Sequence, residues 1–241
     1  MTRTFKISAL VLGAVLIGAM PAMAANELLV TSAAALPGSV AQPGVNCSGD
    51  GQPGPCGLEV VIDGASSSND VYVVSSHPNA ETTYNFSFYI YPGNLTMPPT
   101  GEFVIGNIRK TEAPARNFFF VYLRKTGNGQ YWTIQTNARE DNGSFQTWQS
   151  PVKICGDNST PIPCGTVGAQ EFRFEWTASD PGQSNGALRI YKNGSLKKEF
   201  LNMDNDGQTI DESWFGAVWM NNGNQGNSDG SYYFDTFTST R

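Results

Sequence analysis

The stretch that most restricts the fold is residues 187–241, where period-two apolar segments alternate with turn chemistry. Leu188 and Ile190 precede Asn193-Gly194, a dipeptide suited to the positive φ values of a tight hairpin. An Asn/Asp loop at 201–206 leads to Phe215-Gly216-Ala217-Val218, and a Gly/Asn loop leads to Tyr232-Tyr233-Phe234-Asp235-Thr236-Phe237. Strands separated by such turns predict antiparallel sheet.

The same pattern extends upstream. In Thr83–Tyr91, Tyr84, Phe86, Phe88 and Ile90 share one face, while Asn85, Ser87, Tyr89 and Tyr91 share the other. Phe172, Phe174 and Trp176 alternate with Glu171, Arg173 and Glu175, giving an aromatic face and a charged face. Segments 58–62, 71–74, 103–108, 118–123 and 131–136 read as further strands, with Leu28-Leu29-Val30 as an edge strand. Beyond the first 24 residues no segment holds a helical period. The 26 glycines suit turns and the 12% aromatic residues suit inner faces, so an all-β, two-sheet antiparallel sandwich is expected.

Arg3 and Lys6, the apolar run at 7–18 and the Ala22-Met23-Ala24 box predict a secretory signal cleaved before Ala25. The run is short for a bilayer span, and no later run approaches that length. The expected organisation is a signal at 1–24, an irregular lead-in with a first disulfide loop at 25–57, and a sandwich domain at 58–241. The expected location is secreted or periplasmic. Without Arg3 and Lys6, 13 basic residues face 21 acidic ones, a net charge of −8. An acidic chain without a Lys/Arg cluster lacks the footprint of a nucleic-acid binder.

Four cysteines form two matching islands. Cys47 and Cys56 bracket Ser-Gly-Asp-Gly-Gln-Pro-Gly-Pro; Cys155 and Cys164 bracket Gly-Asp-Asn-Ser-Thr-Pro-Ile-Pro. An even count in an exported chain favours disulfides. Of the three connectivities, the local one, Cys47 with Cys56 and Cys155 with Cys164, needs only each loop to fold back. The spacing does not suit a zinc knuckle, and His77 is the one histidine.

Glu81-Thr82-Thr83-Tyr84 running into Phe86 and Phe88, and the closing pieces at 188–193, 201–206, 215–218 and 230–237, resemble bacterial secreted concanavalin A-like, or laminin-G-like, jelly-roll domains. The resemblance implies a fold that presents loops to carbohydrates, shared by lectins, glucanases and lyases. Glucanases of this fold carry a Glu-x-Asp-x-x-Glu strand. The nearest match, Glu171-Phe172-Arg173-Phe174-Glu175, has Arg173 between its carboxylates, which would hold both ionised. A solvated, salt-bridged face is expected there. Lyases of similar fold need a Gln/His pair and a Tyr/Arg set around an acidic sugar, whereas His77 lies in the turn-like Ser75-Ser76-His77-Pro78-Asn79. No catalytic residue is singled out, and the reading leans away from an enzyme.

For recognition, Trp219 with the amide-rich loop containing Asn221, Asn222, Asn224 and Asp229 combines an aromatic platform with hydroxyl-binding groups. Core packing is the competing role for any single Trp here. In a regular strand Trp214 and Trp219 would face opposite sides. The resemblance also implies a structural calcium at Asp235 in the last strand, with Asp63 as contributor. The alternative makes Asp235 a hydrogen-bond acceptor at the sheet edge. These observations lead to an exported, non-catalytic carbohydrate-binding or cell-surface recognition module, with a glycan or cell-surface polysaccharide as partner. The alternatives are a glycan-processing enzyme, either glycoside hydrolase or polysaccharide lyase, and a structural or assembly protein.

Overall fold

The computed structural model describes residues 29–31, 40–41, 58–62, 71–75, 80–91, 93–99, 101–126, 131–155, 170–220 and 228–240. Among the described residues there is no helix, and two antiparallel sheets stack as a concanavalin A-like jelly-roll sandwich. The strands are β1 (Leu29–Thr31), β2 (Val40–Ala41), β3 (Leu58–Ile62), β4 (Val71–Ser75), β5 (Thr83–Tyr91), β6 (Glu102–Lys110) and β7 (Arg116–Thr126). They continue as β8 (Tyr131–Arg139), β9 (Phe145–Cys155), β10 (Gln170–Thr177), β11 (Gly186–Lys192), β12 (Ser195–Met203), β13 (Glu212–Met220) and β14 (Gly230–Thr240). The first sheet runs β1-β4-β13-β6-β7-β8-β9, and the second β12-β11-β10-β5-β14-β3-β2.

The alternation in the sequence becomes the core. Tyr84, Phe86, Phe88 and Ile90 of β5 are all buried, as are Phe172, Phe174 and Trp176 of β10. Phe86 stacks on Phe174 with centroids 4.8 Å apart, and meets Phe215 at 5.6 Å and Phe119 at 5.9 Å across the sandwich. Burying rings of this size supplies much of the drive to close two sheets. Tyr84 and Ser213 share a buried hydrogen bond of 3.1 Å between the sheets, so the phenol enters the core without an orphaned polar atom.

Asn193-Gly194 forms the expected hairpin between β11 and β12, with φ of 49° and 73°. Both values are positive, as the twist-matched two-residue turn requires. Strands β6, β7 and β8 run longer than their apolar stretches because charged and amide residues continue the pairing on the outer side. A ninth strand, β9, pairs with β8 at the edge of the first sheet. The sequence signal missed it because polar residues and Pro151 interrupt the apolar positions of Phe145–Cys155, in which Trp148 is buried.

Candidate functional site

The outer face of the first sheet concentrates the chemistry. Along β7, Phe119, Val121 and Leu123 face the core, so Phe120, Tyr122 and Arg124 project outward. On β8, Ile134 and Ala138 face inward, while Thr133, Gln135, Asn137 and Arg139 face outward. Cross-strand pairing sets Tyr122 beside Gln135, Phe120 beside Asn137, and Arg124 beside Thr133. From β6 come Glu102, Val104, Asn107 and Arg109, paired with Arg124, Tyr122, Phe120 and Asn117. Register shifts at Val104/Gly106 and Ile108/Arg109 keep these polar residues outside where strict alternation would turn them inward.

Hydrogen bonds hold the face in place. Arg124 Nη1 donates to Gln135 Oε1 at 2.5 Å, and its Nε lies 3.0 Å from Glu102 Oε2. Gln135 Nε2 donates to Asn137 Oδ1 at 3.3 Å, and Asn107 Nδ2 to Asn117 Oδ1 at 3.0 Å. Asn107 Oδ1 is buried without a partner, an acceptor left unused beside the cluster. Burial raises the Tyr122 phenol above its ordinary pKa; the Glu102 charge adds to this and a hydrogen bond from Asn137 opposes it. Tyr122 therefore stays protonated at neutral pH, as a proton donor must.

Aromatic surface flanks these groups. Phe145 is 45% exposed, with its ring 6.2 Å from Phe120 and the Arg139 guanidinium 5.7 Å away. On the other flank Trp214 stacks on Tyr72 at 4.6 Å, lies under the Arg109 guanidinium at 4.7 Å, and donates to Glu212 Oε2 at 3.0 Å. Arg109, Arg124 and Arg139 thus stand on a face whose carboxylates, Glu102 and Glu212, are already engaged.

The outer face of the second sheet is different in kind. Glu175 is ion-paired with Arg173 and accepts 2.9 Å from the Tyr191 hydroxyl, while the Arg173 guanidinium lies 3.8 Å from the Tyr191 ring centroid. This is the salt-bridged face expected from the sequence, with Glu175 already engaged by Arg173 and Tyr191.

The residues expected from sequence fall elsewhere. Trp219 lies in β13 opposite Val104, but a register shift between Phe215 and Trp219 interrupts the alternation from Trp214; its side chain lies outside the description. Asn221, Asn222 and Asn224 lie outside the described residues. Asp229 is exposed, and its backbone bridges Thr96 just before β14. For calcium, Asp63 lies outside the described residues; Asp235 is in β14 opposite Tyr89, with its side chain outside the description. Of the cysteines, Cys47, Cys56 and Cys164 lie outside the described residues, as does the Cys155 side chain, and so does His77. Sequence reading missed Tyr122, Arg124, Gln135 and Asn137. Their one signal was the polar face of two strands read only for their apolar side.

No family model matches the chain, and no curated protein matches it in sequence. Solved structures do share its fold. A crystal structure of an endo-β-1,4-glucuronan lyase from the fungus Trichoderma reesei superposes with a TM-score of 0.56 at 10% identity, covering 89% of this chain and 90% of that one. The cellulose-induced protein Cip1 gives 0.50 at 13% identity, covering 83% and 85%. An alginate lyase from Pseudomonas aeruginosa gives 0.47 at 15% identity, covering 77% and 82%. These likenesses bear out the jelly-roll sandwich expected from the sequence. They also correct the expectation of a non-catalytic recognition module and its lean away from an enzyme. A polysaccharide lyase among these neighbours favours the glycan-processing alternative over a non-catalytic module.

Proposed function

We propose that the chain is an exported polysaccharide lyase that cleaves a uronate-containing polymer on the outer face of its first sheet. The observation that carries this reading is the placement of Tyr122 directly beside Gln135, with Arg124 bonded to that same glutamine. β-Elimination of a uronate needs the sugar carboxylate held by hydrogen-bond donors or a cation. Solvent then takes the C5 proton that the held carboxylate has made acidic, the electron pair left behind forms the C4=C5 bond as the C4–O4 bond breaks, and the departing O4 takes a proton. Amides at Gln135 and Asn137 and the Arg124 guanidinium suit the carboxylate. Tyr122, kept neutral by burial, suits protonation of O4. Phe145 offers a ring for the apolar face of a neighbouring sugar. Lyase neighbours of the same fold support the assignment.

The test is incubation of the purified chain with glucuronan, alginate and a neutral β-glucan, following ultraviolet absorbance of the C4=C5 product. Absorbance should rise with a polyuronate and not with the neutral glucan. New reducing ends without unsaturation would make the enzyme a hydrolase and overturn the elimination reading.

A further inference from the structure

We propose that Arg139 and Phe145 form a second subsite on the outer face of the first sheet, which reads the carboxylate of a uronate farther along the polymer than the one at Gln135. The inference rests on the polyuronate reading and narrows it: consecutive uronates are bound better than uronates separated by neutral sugars. Arg139 follows Gln135 and Asn137 on the outward half of β8, and β8 and β9 pair without a shift from Gln135 to Arg139. Four residues of strand put Arg139 about 13 Å from Gln135. Phe145 stands directly opposite Arg139 on β9, and the guanidinium lies 5.7 Å from its ring centroid.

Among the described residues no carboxylate pairs with Arg139, and its Nε has no hydrogen-bond partner. The two carboxylates next to it in the chain are engaged elsewhere. Glu140 accepts from Ser144 Oγ at 2.7 Å and from Gln146 Nε2 at 3.2 Å; Asp141 accepts from Gly207 N at 2.8 Å and from Gln208 Nε2 at 2.6 Å. Arg124, by contrast, is committed to Glu102 and Gln135. A guanidinium cannot shed its charge to escape a half-buried position, so an unanswered one on this face favours an anion. The ring beside it is 45% exposed. A uronate residue offers both matches, a planar carboxylate for the guanidinium and a C–H face for the ring.

The hairpin holds this pair in place before any sugar arrives. Glu140 N donates to Ser144 O at 2.8 Å and Gly143 N to Glu140 O at 2.9 Å, so the turn after Arg139 closes on itself. Asp141 N donates to Asp204 O at 2.8 Å, which ties the turn to the connection between β12 and β13. A Cβ at Gly143 would come 3.4 Å from Arg139 Nη2, so the turn also packs against the guanidinium. Groups fixed in advance lose little freedom when a ligand meets them.

The experiment measures, by calorimetry, binding of glucuronan and alginate oligomers sorted by length to the Tyr122→Phe chain, in which turnover is expected to be too slow to consume them. Affinity should step up once an oligomer spans from Gln135 to Arg139. Adding Arg139→Gln should remove that step, weakening long oligomers about tenfold and leaving short ones unchanged. Adding Arg139→Lys should restore part of the step, because the charge returns without the fork. Phe145→Ala should also reduce the step, and it decides the matter if Arg139→Gln does not fold. Equal losses for short and long oligomers in a variant that melts like its parent, or no loss at all, overturn the subsite. So does failure of both polymers to bind. Wild-type chain that gives no unsaturated product, with the length step and its loss intact, would remove the lyase reading and leave the subsite standing.

Discussion

Tyr122 and Gln135 stand directly opposite one another across β7 and β8, so their side chains leave the sheet as neighbours. Opposed residues have Cβ atoms about 5 Å apart. One sugar carboxylate can therefore meet the Gln135 amide while the next glycosidic oxygen meets the phenol. Tyr122→Phe keeps the ring and its packing and removes only the hydroxyl. We expect kcat on a polyuronate to fall by roughly 10²–10⁴, with the melting temperature nearly unchanged. Full activity in that variant would remove Tyr122 from the reaction.

Arg124 should act on binding and orientation together. It bonds Gln135 Oε1 and pairs with Glu102, so it both supplies charge and fixes the amide beside it. Arg124→Lys keeps the charge but loses the two-sided fork. Steady-state kinetics should show KM raised and kcat lowered, by about tenfold each if a charge-assisted bond of roughly 1.5–3 kcal/mol is lost. Phe145→Ala should raise KM alone, by about threefold to tenfold, because stacking of this kind acts before and during reaction alike.

The second sheet supplies the contrast. A groove of about 210 Å³ is lined by Asn85, Phe86, Ser87, Arg173, Glu175, Ser239 and Thr240. It lies on the face where Arg173 and Glu175 neutralise each other. The double variant Arg173→Ala/Glu175→Ala should retain wild-type turnover and change stability by no more than about 1 kcal/mol, the range for partly exposed pairs. Loss of turnover in a folded double variant would move the active face to the second sheet.

Much of the fold was legible because burial writes itself into period two. Phe86, Phe88, Phe172 and Phe174 announce a core by spacing alone, and Asn193-Gly194 announces its own turn. The candidate site was not legible, for a related reason. Tyr122, Gln135 and Asn137 occupy the outward half of the same alternation, where any polar residue is compatible with solvent. Only pairing across β6, β7 and β8 brings them together from separate stretches. Bulges hid more: Asn107 and Arg109 share a face with Val104 only because the register slips between them. Strand β9 escaped because polar residues and Pro151 break up the apolar positions of Phe145–Cys155, leaving no clean period-two signal.

Asp211 should set the acid limit of the fold. It is 8% exposed and receives bonds from Ala80 N at 2.8 Å, Thr111 N at 2.6 Å, Thr111 Oγ1 at 3.1 Å and Glu112 N at 3.3 Å. The carboxylate thereby ties the segment entering β5 to the one leaving β6. Burial alone would raise its pKa, but the combined donors outweigh that and hold it below the ordinary carboxylate value. The sign follows from linkage. As pH falls, the unfolded chain takes up this proton first, near pH 4. The contribution of Asp211 is thus complete above that value and is lost as pH drops through the lower folded one. Asp211→Asn leaves one acceptor oxygen for several donors and should cost roughly 2–3 kcal/mol at neutral pH. It should also flatten the fall in stability between about pH 5 and pH 3. Urea unfolding of both proteins across that range reads the two effects at once. Parallel pH profiles for wild type and variant would show that Asp211 is not the group whose protonation undoes the fold.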